Sequence, residues 1–160
     1  MDNGKTITTN SPEETVEVAS RLAAELREGD LVALVGELGA GKTMFVKGVA
    51  RGLGVRDPLY VNSPSFVVLK EYHGRKDLYH FDIYRLDLKS FCETLDYERY
   101  FYGNGITVVE WAEKIADILP EEYLEVGIEY ADHSERKLNF KSVGKRFDAL
   151  LEKMGLMGDE

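Results

Sequence analysis

Apolar and polar positions change period several times along this 160-residue chain, and each change marks an element. Thr6-Ile7-Thr8 is β-prone and predicts a short first strand. Val16, Ala19, Leu22, Ala23 and Leu26 then recur at helical spacing. Ser11 as N-cap, Pro12 at the first helical position and Glu14 closing a capping box mark where that helix starts. Gly29 is its expected stop. Leu31-Val32-Ala33-Leu34-Val35 is a short unbroken apolar run, as a buried parallel strand requires. Met44 to Arg51 contains good helix formers and no proline, and this second helix is expected to end around Gly52 and Gly54.

Tyr60-Val61-Asn62 leads into a break at Ser63-Pro64-Ser65. Phe66 to Tyr72 and Leu78 to Tyr84 are rich in β-formers on either side of a turn at His73-Gly74-Arg75-Lys76-Asp77, which predicts an antiparallel hairpin. Lys89 to Tyr102 reads as partly helical. Ile106-Thr107-Val108-Val109 is a clean buried strand ending in Glu110, and Ala112 to Leu119 a short helix stopped before Pro120. Leu124 to Tyr130 and Arg136 to Val143 alternate as two late antiparallel strands. Lys145 to Met154 closes the chain as a helix. Early strands alternate with helices, and hairpins follow in the middle and at the end. That order predicts an α/β fold: one three-layer α/β/α domain over residues 1–160 with a mixed, partly antiparallel sheet.

Between the apolar strand and the second helix stands Gly36-Glu37-Leu38-Gly39-Ala40-Gly41-Lys42-Thr43, a G-x-x-x-x-G-K-T pattern in its proper strand–turn–helix context. Backbone N–H groups of Glu37, Leu38, Gly39, Ala40 and Gly41 at a helix N-terminus suit phosphate oxygens. Lys42 supplies an ammonium for the terminal phosphates, and the Thr43 hydroxyl a Mg²⁺ ligand. The motif therefore predicts a P-loop NTPase domain. A site of that kind needs a carboxylate opposite Thr43, on the metal or on the attacking water. Two strand-end acids qualify. Glu110 follows four β-favouring residues. Asp82 follows a more polar run, Leu78-Tyr79-His80-Phe81. One reading uses both, with Glu110 near the metal and Asp82 at the water. His80 reads as structural rather than catalytic. For Ser63-Pro64-Ser65-Phe66, local chemistry favours a plain turn with Ser63 as a local cap. A hydroxyl sensing the γ-phosphate is the alternative. Trp111 follows Glu110 directly, and core packing is its default.

Bulk properties narrow the picture. A hydrophobic fraction of 44% with 31% charged residues is that of a globular chain with a real core. No apolar stretch reaches the roughly 18 residues of a membrane span, Met1 to Lys5 lacks a signal-peptide layout, and Cys92 is the one cysteine. The expectation is a cytoplasmic protein without disulfides, metal cluster or membrane attachment. The net charge of −9 disfavours a nucleic-acid-binding surface on the chain as a whole. Arg136, Lys137, Lys141, Lys145, Arg146 and Lys153 form a local basic group late in the chain, read as a solvated, mixed-charge surface. No N-K-x-D and no D-x-x-G segment occurs, which argues against a guanine reader and for ATP.

With these segments in place, the chain resembles the TsaE family of bacterial proteins. Four motifs in order carry the resemblance: Gly36 to Thr43, Ser63-Pro64-Ser65-Phe66, His80-Phe81-Asp82-Ile83-Tyr84-Arg85-Leu86, and Val109-Glu110-Trp111-Ala112-Glu113. It extends from about residue 6 to about residue 130. It implies a small ATP-binding, Mg²⁺-dependent ATPase required for the threonylcarbamoyladenosine modification of tRNA beside the anticodon. It also implies TsaD-like and TsaB-like partners, tRNA being reached through the complex, and a turnover that resets that complex. By position, Lys42 and Thr43 take the P-loop roles, Glu110 the metal role and Asp82 a role in hydrolysis. Ser11 and Pro12 match the segment that packs against adenine. Ser65 stands where family members usually carry threonine, which keeps the hydroxyl. Two other functions compete: a P-loop small-molecule kinase, and a nucleotide-gated adaptor without significant turnover. The adaptor gains weight because the chain has no obvious arginine finger.

Overall fold

The computed structural model describes residues 4–37, 39–63 and 67–155. Seven strands form one sheet: β1 (Gly4–Thr9), β2 (Leu31–Val35), β3 (Leu69–Tyr72), β4 (Leu78–Asp82), β5 (Ile106–Glu110), β6 (Tyr123–Asp132) and β7 (Glu135–Val143). Their spatial order is β1-β7-β6-β2-β5-β4-β3. The central four run parallel, β2 pairing with both β5 and β6, and β4 with β5. Antiparallel partners extend each side: β3 on β4, and the β6–β7 hairpin with β1 beyond it. The mixed α/β sheet predicted from the pattern is present.

Period-2 alternation assigns each strand residue to one of two cores. Val32 and Leu34 of β2, Leu78 of β4, and Ile106 and Val108 of β5 face one layer. That layer consists of α1 (Pro12–Ala23), α2 (Lys42–Gly52) and the last helix, Lys145–Lys153. Leu31, Ala33, Phe81 and Val109 face the opposite layer, where α3 (Leu88–Thr94) and α4 (Tyr97–Phe101) contribute Phe91 and Phe101. Phe81 meets both of these rings edge-on, at 5.9 and 5.6 Å between centroids. The last helix, Lys145–Lys153, is α5 below.

Helices α1 and α2 run side by side in unusually close contact. A Cβ on Gly48 would lie 2.5 Å from the Val16 carbonyl oxygen, and one on Gly52 would lie 2.4 Å from that of Ser20. Only glycine permits that approach, and the start of α1 is thereby held beside the start of α2.

Several boundaries differ from the sequence reading. The α1 start is as predicted: Ser11 Oγ accepts from the Glu14 N–H at 3.1 Å. The reciprocal bond, however, goes from the Asn10 N–H to Glu14 rather than from Ser11. The helix stops at Ala23, well before Gly29, so Leu26 is buried in the core from outside the helix. Strand β3 begins at Leu69, because Val68 adopts φ 73° and cannot continue a strand. The short helix expected from Ala112 is present over Ala112–Ile118, as a 3-10 helix kinked at Ile115.

Candidate functional site

The carboxyl ends of the parallel strands gather the polar residues singled out above. β2 runs out into the P-loop at Gly36, which has φ 152° and whose added Cβ would lie 2.5 Å from the Ile128 carbonyl oxygen on β6. The loop therefore leaves the sheet through a gap that admits no side chain. Gly41 then caps α2 with no side-chain hydrogen bond. The first-turn N–H groups of α2 thus lack a side-chain acceptor, as an anion cradle requires. Leu38 and Ser65 lie outside the described residues, as do Pro64 and Phe66.

Register brings the two acids together. Glu110 of β5 is opposite Leu34 on one side and Asp82 of β4 on the other. Alternation turns both carboxylates toward α2, on the same face as Leu78 and Val108. Both are 3% exposed. Each has named partners. Glu110 Oε2 is 2.6 Å from Nε2 of His80, itself fully buried. Asp82 Oδ2 accepts from the Ser63 hydroxyl, and Oδ1 from the Tyr84 N–H at 2.9 Å.

Lys42 lies across from them, 5% exposed. Its ammonium donates to the carbonyls of Gly36 at 2.6 Å and Glu37 at 2.8 Å, and sits 4.1 Å from the centroid of the Trp111 ring. Burial pushes the Lys42 pKa down from the usual lysine range. Glu110, Glu113, Asp82 and Glu37 pull it back up. Asp82, Glu110, Lys42, Thr43, Gly39 and Gly41 line one cavity of about 490 Å³, closed on one side by Tyr84, Arg85 and Trp111.

The remaining predicted residues surround this cavity rather than enter it. Glu37 and Ala40 line a neighbouring depression with Ile128, Glu129 and Tyr130. Pro12 lines a third, of about 100 Å³, with Thr15, Gly41, Met44, His133, Ser134 and Arg136. The Ser11 hydroxyl is committed to the α1 cap. Gly39 and Gly41 are common walls, so the three depressions follow one another around the P-loop.

Four readings change. Trp111 is not simply core. Its backbone takes φ 66°, rare and strained for a bulky residue, and its half-buried ring packs on Tyr84 and caps Lys42. Ser63 is no local cap, since its hydroxyl bonds Asp82 nineteen residues on. Arg136 leaves the solvated surface: its Nε donates to the Ala40 carbonyl of the P-loop at 2.9 Å, and its guanidinium stacks on Tyr130. Arg146 leaves it too, in an ion pair with Asp30 at 2.7 Å. No signal in the sequence tied Arg136 to the P-loop.

A buried cation faces two buried carboxylates beside a helix N-terminus with no side-chain cap and a hydroxyl at Thr43. This set can bind a phosphate chain with a divalent cation and hold a water near it. The comparisons with known proteins converge on one family. The model for "Threonylcarbamoyl adenosine biosynthesis protein TsaE" matches residues 9–138. The tRNA threonylcarbamoyladenosine biosynthesis protein TsaE of Bacillus subtilis is 45% identical over 147 residues, covering 91% of this chain and 90% of that one. Its counterpart in Treponema pallidum is 39% identical over 129 residues, covering 80% and 93%. That of Aquifex aeolicus is also 39% identical, over 141 residues, covering 86% and 96%. The crystal structure of Bacillus subtilis YdiB superimposes with a TM-score of 0.81 at 38% identity, over 97% of this chain and 96% of that one. By its sequence, its fold and the motifs around its P-loop, this chain belongs to the TsaE family.

Proposed function

We propose that this chain binds ATP and Mg²⁺ and hydrolyses ATP to ADP and phosphate, as the ATPase of tRNA threonylcarbamoyladenosine biosynthesis. The carrying observation is the pair of buried carboxylates, Asp82 and Glu110, at adjacent strand ends in one cavity with Lys42 and Thr43. A glycine-rich turn that binds nothing has no use for three buried charges. Family membership and the names of the relatives support the pathway.

In this reading the uncapped first turn of α2 receives the phosphates, and Lys42 exchanges its two carbonyl acceptors for terminal phosphate oxygens. Thr43 and Glu110 would hold the Mg²⁺, whose chemistry is to neutralise charge on the phosphates as the bond to the leaving group breaks. Asp82, fixed by Ser63 and the Tyr84 N–H, keeps lone pairs free to orient a water. The depression lined by Pro12, Met44 and Arg136 would take the nucleoside end. The acid-rich composition favours an indirect approach to tRNA, through TsaD-like and TsaB-like partners in the cytoplasm. No helix among the described residues is long and apolar enough to cross a membrane.

The test is ATP turnover by the chain alone and with a TsaD–TsaB pair. The expected result is slow release of free phosphate alone and clear stimulation by the pair. Phosphate recovered on a small acceptor at the rate of ATP loss would make the chain a kinase. No turnover in either setting would leave a nucleotide-gated adaptor.

A further inference from the structure

The proposed chemistry leaves His80 without a task, although it is the buried titratable side chain nearest to it. The imidazole is 0% exposed, two residues before Asp82 on β4 and opposite Val108 on β5. Its Nε2 lies 2.6 Å from Glu110 Oε2. Its Nδ1 is the one buried side-chain nitrogen or oxygen among the described residues with no hydrogen-bond partner.

These two facts fix the ring's role. A proton on Nδ1 would be a buried donor with nothing to bond, which is costly. A proton on Nε2 meets a carboxylate at charge-assisted hydrogen-bond distance. Nδ1 is then left as a bare lone pair, the less expensive group to strand. An ordinary core histidine satisfies both nitrogens; this one leaves the first unsatisfied while holding the second against an acid.

We propose that His80 is a positioning residue: its Nε2–H commits Oε2 of Glu110 and so presents Oε1 to the divalent cation. Carboxylates that ligate metals are commonly oriented by such a donor, and losing the donor weakens the metal rather than the substrate. This proposal rests on the reading of Glu110 as the Mg²⁺ carboxylate.

Three measurements on the full chain test it. In the wild type, ¹⁵N NMR of the His80 ring should report a protonated Nε2 and an unprotonated Nδ1; the opposite tautomer overturns the proposal. His80→Met removes the donor and roughly keeps the volume. It should weaken Mn²⁺ binding to the ADP-loaded protein about tenfold, read by paramagnetic resonance, with metal-free ADP affinity unchanged. His80→Gln restores an N–H near the Nε2 position and should recover most of that loss. Wild-type Mn²⁺ affinity in a folded His80→Met variant overturns the proposal, as does a glutamine variant no better than methionine. If the substitutions prevent folding, the wild-type tautomer decides alone. If wild type binds ADP with no dependence on a divalent cation, the fault lies with the metal role of Glu110, not with His80.

Discussion

The two ends of the central parallel strands treat buried charge in opposite ways. At the amino end, Asp30 precedes β2 and meets Arg146 of α5 at 2.7 Å. Asp30 also accepts from the Arg27 N–H, and Arg146 donates a further bond to the Glu25 carbonyl. Every partner is part of the fold, and the pair fastens α5 to the loop after α1. At the carboxyl end, Lys42 rests on two backbone carbonyls and an aromatic face, while Glu110 meets His80, and Asp82 meets the Ser63 hydroxyl and the Tyr84 N–H. Neither acid bonds the lysine. A buried pair that completes itself serves stability. Buried charges kept apart and individually braced suit a charged ligand, as the proposed ATP and Mg²⁺ would be.

The sharpest way to break this contrast is Glu110→Ala. It should leave much of the ATP binding intact but reduce Mg²⁺-dependent turnover by more than about 10³-fold, since a metal held there would contribute several kcal/mol of barrier lowering. Normal hydrolysis in a steady-state phosphate assay would transfer the metal role to Asp82. Lys42→Ala should reduce ATP affinity severely in calorimetry, through loss of a charge-assisted contact. At the other end, Arg146→Ala should cost about 3 kcal/mol in urea unfolding by stranding Asp30, with nucleotide affinity unchanged. If affinity fell in parallel, the two ends would not be independent. Gly36→Ala lies between the regimes. The Ile128 carbonyl would have to move, so stability should fall by about 1–3 kcal/mol and nucleotide affinity with it.

The smallest effect concerns protons. Burial lowers the Lys42 pKa, so its charged form is disfavoured in the free protein and is lost earlier than usual as pH rises. Phosphates reverse that preference. Nucleotide binding should therefore take up protons increasingly from neutral to alkaline pH, measurable from the buffer dependence of the binding enthalpy. Lys42→Ala should abolish the uptake wherever binding can still be detected.

What could be read in advance was local or periodic. The P-loop is contiguous, and Asp82 and Glu110 are acids closing β-prone runs, so spacing alone marked them. Register then explains why both acids share a face, which no single strand reveals. Arg136 was missed because its partner Ala40 lies 96 residues away, and an arginine on an alternating strand reads as solvent-facing. Ser63 was assigned locally because its acceptor, Asp82, belongs to strand β4 nineteen residues on. Trp111 does pack against the Phe81–Val109 core as alternation expects, but its positive φ also lays the ring over Lys42, which alternation could not show. The α1 boundary failed at Leu26, which keeps helical spacing by coincidence after the helix has ended.

The glycine contacts between α1 and α2 have a mechanical consequence. Pro12 and Met44, at the starts of the two helices, flank the same small depression, and the helices behind them touch backbone to backbone at Gly48 and Gly52. Two helices separated by long side chains can slide as rotamers change; two in backbone contact cannot. The pair therefore acts as a caliper with its jaws set. Its opening is written into two missing methyl groups, four and eight residues along α2 from Met44. Gly48→Ala would widen the jaws without altering a single group that lines them.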